Sequence, residues 1–318
     1  MTPGEVLYRL GDLLAHIGPE RREEAESHFR KAIEENENNA GALAGMGNLL
    51  IQGAEFDQAA PFLERSVAMD DENYMTHYYL ASNQWGLFRR AEEDDSPTSR
   101  RLLESAREHY LRSMVLNPHF ASSFQGYGIT FLFEEEGGDF TLGIQAMLRA
   151  RMLKPTDSNL AYELFLLYLK AGEVDAAKDL EETFLRRAFD EALAERAWEA
   201  LLRYRLDEAS ELFQKGDLEE GLTVIEEVMV STGDEPFREE LNRRAVEVRA
   251  LIRNNRAVDL YNRAVDAAKE RDYALAEKFL SEALEFVVDP DLRLQAEDFR
   301  GNMRELQGLP RESPAISR

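Results

Sequence analysis

The chain has no cysteine among its 318 residues. Disulfide staples, thiolate nucleophiles and thiolate metal sites are therefore excluded. It also lacks any run near the ~18 uninterrupted apolar residues of a membrane-spanning helix. Positive charge is short: 38 Lys and Arg face 62 Asp and Glu, a formal charge of −24. Such a balance argues against nucleic acid and against insertion into or binding to an anionic membrane, because phosphates recruit Lys and Arg. It favours solubility and a partner carrying basic residues. The first residues, MTPGEVLYRLGDLLAHIGPE, have no basic segment leading into an apolar core. No signal peptide is read, and a cytoplasmic protein is expected.

Recognisable catalytic patterns are also missing. His16, His28, His77, His109 and His119 form no HExxH and no i,i+4 pair. Each reads as a surface or inter-helix residue. The acidic runs EEDD and EEEGGD lack the alternating carboxylates and closing Glu of a calcium loop, and there is no GxxxxGK[ST], GxGxxG or GxSxG. We expect a non-catalytic protein with no cofactor and no metal.

What the chain does have is repetition. AREHYLRSMVLNPH (106–119) is followed by GIQAMLRARMLKPT (143–156), with small, bulky, small and Pro residues in matching places. The same small-x3-bulky-x2-small set recurs at Ala25/Phe29/Ala32, Ala59/Leu63/Ser66, Ala176/Leu180/Thr183, Gly221/Ile225/Val228 and Ala276/Leu280/Ala283. Where best defined, each set is preceded by a helical segment with its own small residue, as at Gly11, Gly47 and Gly128. Small residues there let two antiparallel helices approach while the bulky ones fill the space between them. One such pair cannot bury its apolar face alone, so neighbours must stack.

These residues resemble the tetratricopeptide repeat (TPR) family. The likeness is carried by Leu10-Gly11 and Tyr127-Gly128, the small-bulky-small sets, Pro118 and Pro155 at repeat ends, and the turns GAEFDQA, KAGEVDAA, QKGDLEEG and ERDYALA. It spans residues 5–290 and implies an all-α fold: a right-handed α-solenoid of about seven helix hairpins. Residues 1–156 give four regular repeats and 157–290 three degenerate ones, the fifth one residue short in its turn. Residues 291–308 read as a capping helix with a polar outer face, and 309–318 as a disordered tail. Arg90–Arg101 and Glu134–Asp139 read as exposed loops.

Residues 190–215 and 237–271 have no helix breaker. Each predicts either one long helix or two, the second splitting at Asn254-Asn255. Arg238, Arg243, Arg244, Arg249, Arg253 and Arg256 form a locally basic stretch, read as a solvated face with i,i+4 pairs or as a partner surface.

In the family, first helices line a concave groove. The resemblance places Tyr8, Asp12, Asn48, Ile51, Tyr78, Ser82, Trp85, Gln125, Ile129, Leu132, Phe165 and Tyr168 there, with Ala44 beside them. The alternative for each is packing between repeats. The carboxylate clamp of chaperone-binding members is not reproduced: Asn48 fits it, but Tyr8, Ala44 and Tyr78 stand where Lys or Arg is expected. The resemblance thus implies a scaffold or adaptor binding an apolar or amphipathic peptide or helix with basic residues. Two alternatives stay open: self-assembly, as a homo-oligomer through the C-terminal half, or a regulatory subunit of a secretion, pilus or signalling complex.

Overall fold

A computed structural model describes residues 2–91, 97–134, 138–187 and 190–311. Among them all regular structure is helical. Antiparallel hairpins follow in order: α1 (Pro3–Ile17) with α2 (Arg22–Glu35), α3 (Ala40–Gln52) with α4 (Phe56–Met69), α5 (Tyr74–Arg90) with α6 (Pro97–Leu116), and α7 (Ala121–Ile129) with α8 (Thr141–Leu153). Then come α9 (Ser158–Lys170) with α10 (Val174–Thr183), α11 (Glu191–Lys215) with α12 (Leu218–Ser231), and α13 (Glu235–Lys269) with α14 (Tyr273–Phe286). The last helix, α15 (Pro290–Leu306), packs on α14. The chain forms two compact units, residues 1–201 and 202–318.

Local chemistry sets the helix ends. Asn39, Asn73 and Asp157 cap α3, α5 and α9, their side-chain oxygens accepting backbone N–H bonds of the first turn. At the hairpin turns, a left-handed residue stands two places before the second helix: Ala54, Gly172, Gly216 and Arg271. The next N–H closes back onto the first helix, Glu55 to Leu50, Glu173 to Tyr168, Asp217 to Leu212 and Asp272 to Ala267, all at 2.9–3.0 Å. The four turn sequences read as inter-helix connections thus share one geometry. α6 and α8 stop at Leu116 and Leu153, two residues before Pro118 and Pro155.

The interlock between helices is steric. A Cβ on Gly11 would lie 2.8 Å from the Phe29 ring, and one on Gly45 2.4 Å from the same ring. Gly47 is as tight against Leu63, and Gly128 against Met147, both at 2.5 Å. Phe29, Leu63, Tyr110 and Met147 are buried, as are the small residues flanking them in their sets. Two hydroxyl contacts then join hairpins. Ser66 Oγ donates to the Ala40 carbonyl and meets Thr76 Oγ1 of the next hairpin. Ser113 Oγ does the same with Tyr74 and Ser123. These buried hydroxyls are satisfied without breaking the apolar seam.

The fifth hairpin departs from the sequence reading. Counting from the cap Asp157 as from Asn39 puts Phe165, not a small residue, where α3 has Gly47. It also puts Glu181 where α4 has Leu63. The first helix is thus large where α3 is small, and the second helix places a carboxylate where α4 has an apolar chain. Phe165 is fully buried, and the buried Glu181 carboxylate receives two bonds from Arg186, at 3.0 and 2.8 Å. The buried small residue is Ala177 rather than Ala176, and Thr183 is exposed. The turn is full length; the second-helix register lies one residue later than the repeat pattern suggests.

Other expectations also change. Residues 97–101, read as loop, begin α6, where Ser99 is buried. Residues 92–96 and 135–137 of the expected loops, and 312–318 of the expected tail, lie outside the described residues. α11 and α13 are single helices of 25 and 35 residues. Asn254 does not split α13: its side-chain oxygen accepts the N–H groups of Val288 and Asp289, fixing the approach to α15. The outer face of α15 is not wholly polar, since Leu294 and Leu306 are exposed.

The arginines of α13 are largely engaged. Arg238 reaches the Met229 and Thr232 carbonyls, Arg249 pairs with Glu226, and Arg253 donates to the Glu285 carbonyl. Arg256 lies over Phe286, and Arg243 pairs with Glu240. The stretch ties α13 to its neighbours more than it forms a solvated i,i+4 face.

Candidate protein-interaction surface

The first helices of unit 1 bring most of the predicted residues into equivalent positions. Tyr78 and Gln125 each stand five residues after the residue that caps their helix, as Ala44 does after Asn39. The same count from Asp157 gives Tyr162. Tyr162 is half-buried beside Phe165, with the Arg196 guanidinium 4.9 Å above its ring. Aligning the fifth hairpin on its second helix hides this residue. The signal that finds it is Asp157, an acidic cap at the place of Asn39 and Asn73.

Tyr8 is half-buried, and the absence of a side chain at Gly41 makes room for it: a Cβ there would lie 2.9 Å from the ring. Burial raises the Tyr8 phenol above its usual pKa, and the Asp12 carboxylate raises it further. Tyr79, not picked from sequence, is raised more strongly, first by burial, then by Asp12, Tyr78, Tyr8 and Tyr74. Tyr8 of α1 and Tyr79 of α5 both pack against the core of the first hairpins. Asn48 and Ile51 are half-buried on α3, and Ile51 packs on the underlying core.

Several anchors are shared with inter-repeat packing. Tyr78 lies edge-on to Phe120 at 5.0 Å and near Tyr110. Ser82 Oγ donates to the Tyr78 carbonyl and meets Tyr110 Oη at 3.3 Å. Trp85 stacks on Phe88 and meets Phe133 edge-on, with Arg89 over it. Ile129 and Leu132 are half-buried, and so is Tyr168, whose phenol burial raises. Gln125 Nε2 donates to Glu163 Oε2 at 2.7 Å, bridging the fourth and fifth hairpins. Burial raises the Glu163 carboxyl, Gln125 offsets part of this, and Asp157 adds to it. Phe165 is the one predicted groove residue with no exposed surface, and it belongs to the core.

Among the described residues no group of three or more His, Cys, Asp or Glu is placed to hold a metal ion, and no helix is long and apolar enough to cross a membrane.

No curated protein sequence matches the chain. Among solved structures, a thermophilic TPR protein of Thermus thermophilus is 23% identical, covering 63% of this chain and 99% of that one at a TM-score of 0.48. PilF of Pseudomonas aeruginosa is 16% identical over 76% and 97%, also at 0.48. YrrB, described as a TPR protein with an unusual peptide-binding site, is 18% identical over 61% and 90%, again at 0.48. The family model for the tetratricopeptide repeat matches residues 16–78, which run from the end of α1 into α5. Those residues contain the Gly47–Leu63 interlock, the Asn39 and Asn73 caps and the Ala54 turn that the other hairpins vary, and over residues 16–78 the chain matches the tetratricopeptide repeat.

Proposed function

We propose that the chain is a non-catalytic adaptor whose first-helix surface in unit 1 binds a segment of a partner protein. The repeats make a protein-interaction scaffold; the finer reading rests on one observation. Tyr78, Gln125 and Tyr162 occupy the same register on α5, α7 and α9, all half-buried, so a row of partly open side chains follows the stack. Aromatic groups of this kind anchor partners because much of their area is already ordered and little entropy is lost on binding. The Glu163 carboxylate adjoins the row, bonded to Gln125, and Asp12 adds a second carboxylate on α1. The segment that suits them is an apolar or amphipathic helix or peptide bearing Lys or Arg.

Capture from the source lysate followed by mass spectrometry identifies the partner. Its affinity is then measured for Tyr162→Ala and Glu163→Gln, with Val115→Ser as an exposed control on α6. Each surface variant weakens binding about tenfold or more, and the control does not. Equal affinity of all three proteins refutes the reading.

A further inference from the structure

α1 carries a row of exposed apolar side chains: Val6 (43% exposed), Leu10 (41%), Leu13 (59%) and Ile17 (57%). Their spacing of four, three and four residues puts them on one face. On α3, α5 and α9 that face is covered. Taking Gly11, Gly47, Ala81 and Phe165 as equivalent, Val6, Leu10 and Leu13 correspond to Ala42, Met46 and Leu49 on α3. On α5 they correspond to Thr76, Leu80 and Asn83, and on α9 to Leu160, Leu164 and Leu167. All nine of these are buried. The Ser66–Thr76 and Ser113–Ser123 contacts show what covers the face: the second helix of the preceding hairpin. α1 thus has the surface of an interior first helix, built to receive another helix.

We infer that this face receives α1 of a second copy, giving a two-fold dimer through the amino-terminal hairpin. Two features select a copy of the chain. The 4-3-4 spacing is that of a coiled-coil seam, so the stripe is complementary to itself under a two-fold rotation. Charge is the second. A chain of −24 repels its own kind over most of its surface. On α1, however, Glu5 pairs with Arg9 at 3.1 Å, and Asp12 stands 3.7 Å from His16. The carboxylates beside the stripe therefore have cationic or protonatable neighbours on the same helix, so two copies can approach here at little electrostatic cost. This contact is separate from the first-helix row and from the C-terminal half, where the sequence suggests self-assembly.

The test is sedimentation equilibrium of the full chain across micromolar concentrations, beside Leu13→Glu and Val246→Glu, each at an exposed site. The wild type and Val246→Glu, on α13, shift from one to two chain masses as concentration rises. Leu13→Glu stays at one mass, or dimerises at least about tenfold more weakly, with an unchanged circular dichroism melting curve. A wild type that is monomeric throughout overturns the inference. So does a dimer that survives Leu13→Glu or is lost in Val246→Glu.

Discussion

Unit 1 packs large side chains against small ones, while unit 2 packs alanine-rich helices edged by arginines. In residues 1–201 the seams are glycine or alanine facing a ring or a branched chain, and the buried hydroxyls Ser66, Thr76, Ser113 and Ser123 satisfy one another or a backbone carbonyl. In residues 202–318 the buried faces of α13 and α14 are mostly alanine, at Ala245, Ala257, Ala264, Ala267, Ala276 and Ala283. Arginines supply much of the rest. Arg205 pairs with Glu208 and Glu227, Arg304 with Glu277 at 2.8 Å, and Arg263 lies over Phe279. A seam of large against small tolerates little change in volume. A seam of alanines with ion pairs at its edge constrains side-chain choice less, because partly exposed pairs contribute little each. That difference explains why the repeat signature is clear in the first half of the sequence and faint in the second.

The sharpest break of the comparison is Phe29→Ala beside Phe213→Ala. The Phe29 ring fills space that neither Gly11 nor Gly45 can reach, so its loss leaves a cavity costing about 4 kcal/mol. Phe213 faces Gly221 in the same way but is half-buried, and its loss costs about 2 kcal/mol. Urea denaturation followed by circular dichroism gives both values. Equal costs would mean that the two units are packed alike. Both tryptophans, Trp85 and Trp198, lie in residues 1–201, and Trp85 lies far from the boundary at 201, so its fluorescence reports on unit 1.

A smaller effect comes from Asn83, where unit 1 buries an unpaired amide. Asn83 is fully buried, and neither its amide oxygen nor its nitrogen has a partner. At the same register α3 has Leu49 and α9 has Leu167, both buried. Asn83→Leu removes the desolvation cost of the amide and stabilises unit 1 by about 1–2 kcal/mol, read from the fluorescence melting curve. Destabilisation would mean that the amide holds an ordered water or that the site is too small for Leu.

Most of the architecture was legible because its signals are local. The caps, the left-handed turn residue and the small-bulky-small sets are each written within a few neighbouring residues. What sequence concealed depended on two helices at once. Phe165 reads as a groove aromatic because its burial comes from helices packed around α9, not from any pattern within α9 itself. Trp85 and Tyr78 read as open anchors until Phe133 and Phe120 of the following hairpin are placed against them. Asn254 looked like a weak point in α13 because the backbone groups it binds lie more than thirty residues away, at Val288 and Asp289.

The subtlest difference between the units concerns protons, and it rests on His77 and His109, whose Nδ1 atoms are 3.0 Å apart across α5 and α6. His77 Nε2 lies 2.9 Å from the Asp71 carbonyl, which can only accept, so Nε2 carries the hydrogen. In neutral His77, Nδ1 is then bare and accepts from His109 Nδ1–H. A second cation has no place in this contact. Burial, then His77, lowers the His109 pKa below 6.5, with Glu108 opposing. The sign follows from proton counting. Between the folded pKa and 6.5 the unfolded chain binds more protons, so stability rises with pH there and is flat, for this group, above 6.5. As pH falls from 7 through 6.5, unit 1 loses stability until the folded pKa is passed. His109→Gln removes that slope, and the difference between the two proteins' fluorescence melting temperatures across pH 5–7 isolates it from carboxylates such as Glu163. The same slope in both proteins would place the proton uptake elsewhere and leave the stacked pair a packing contact only.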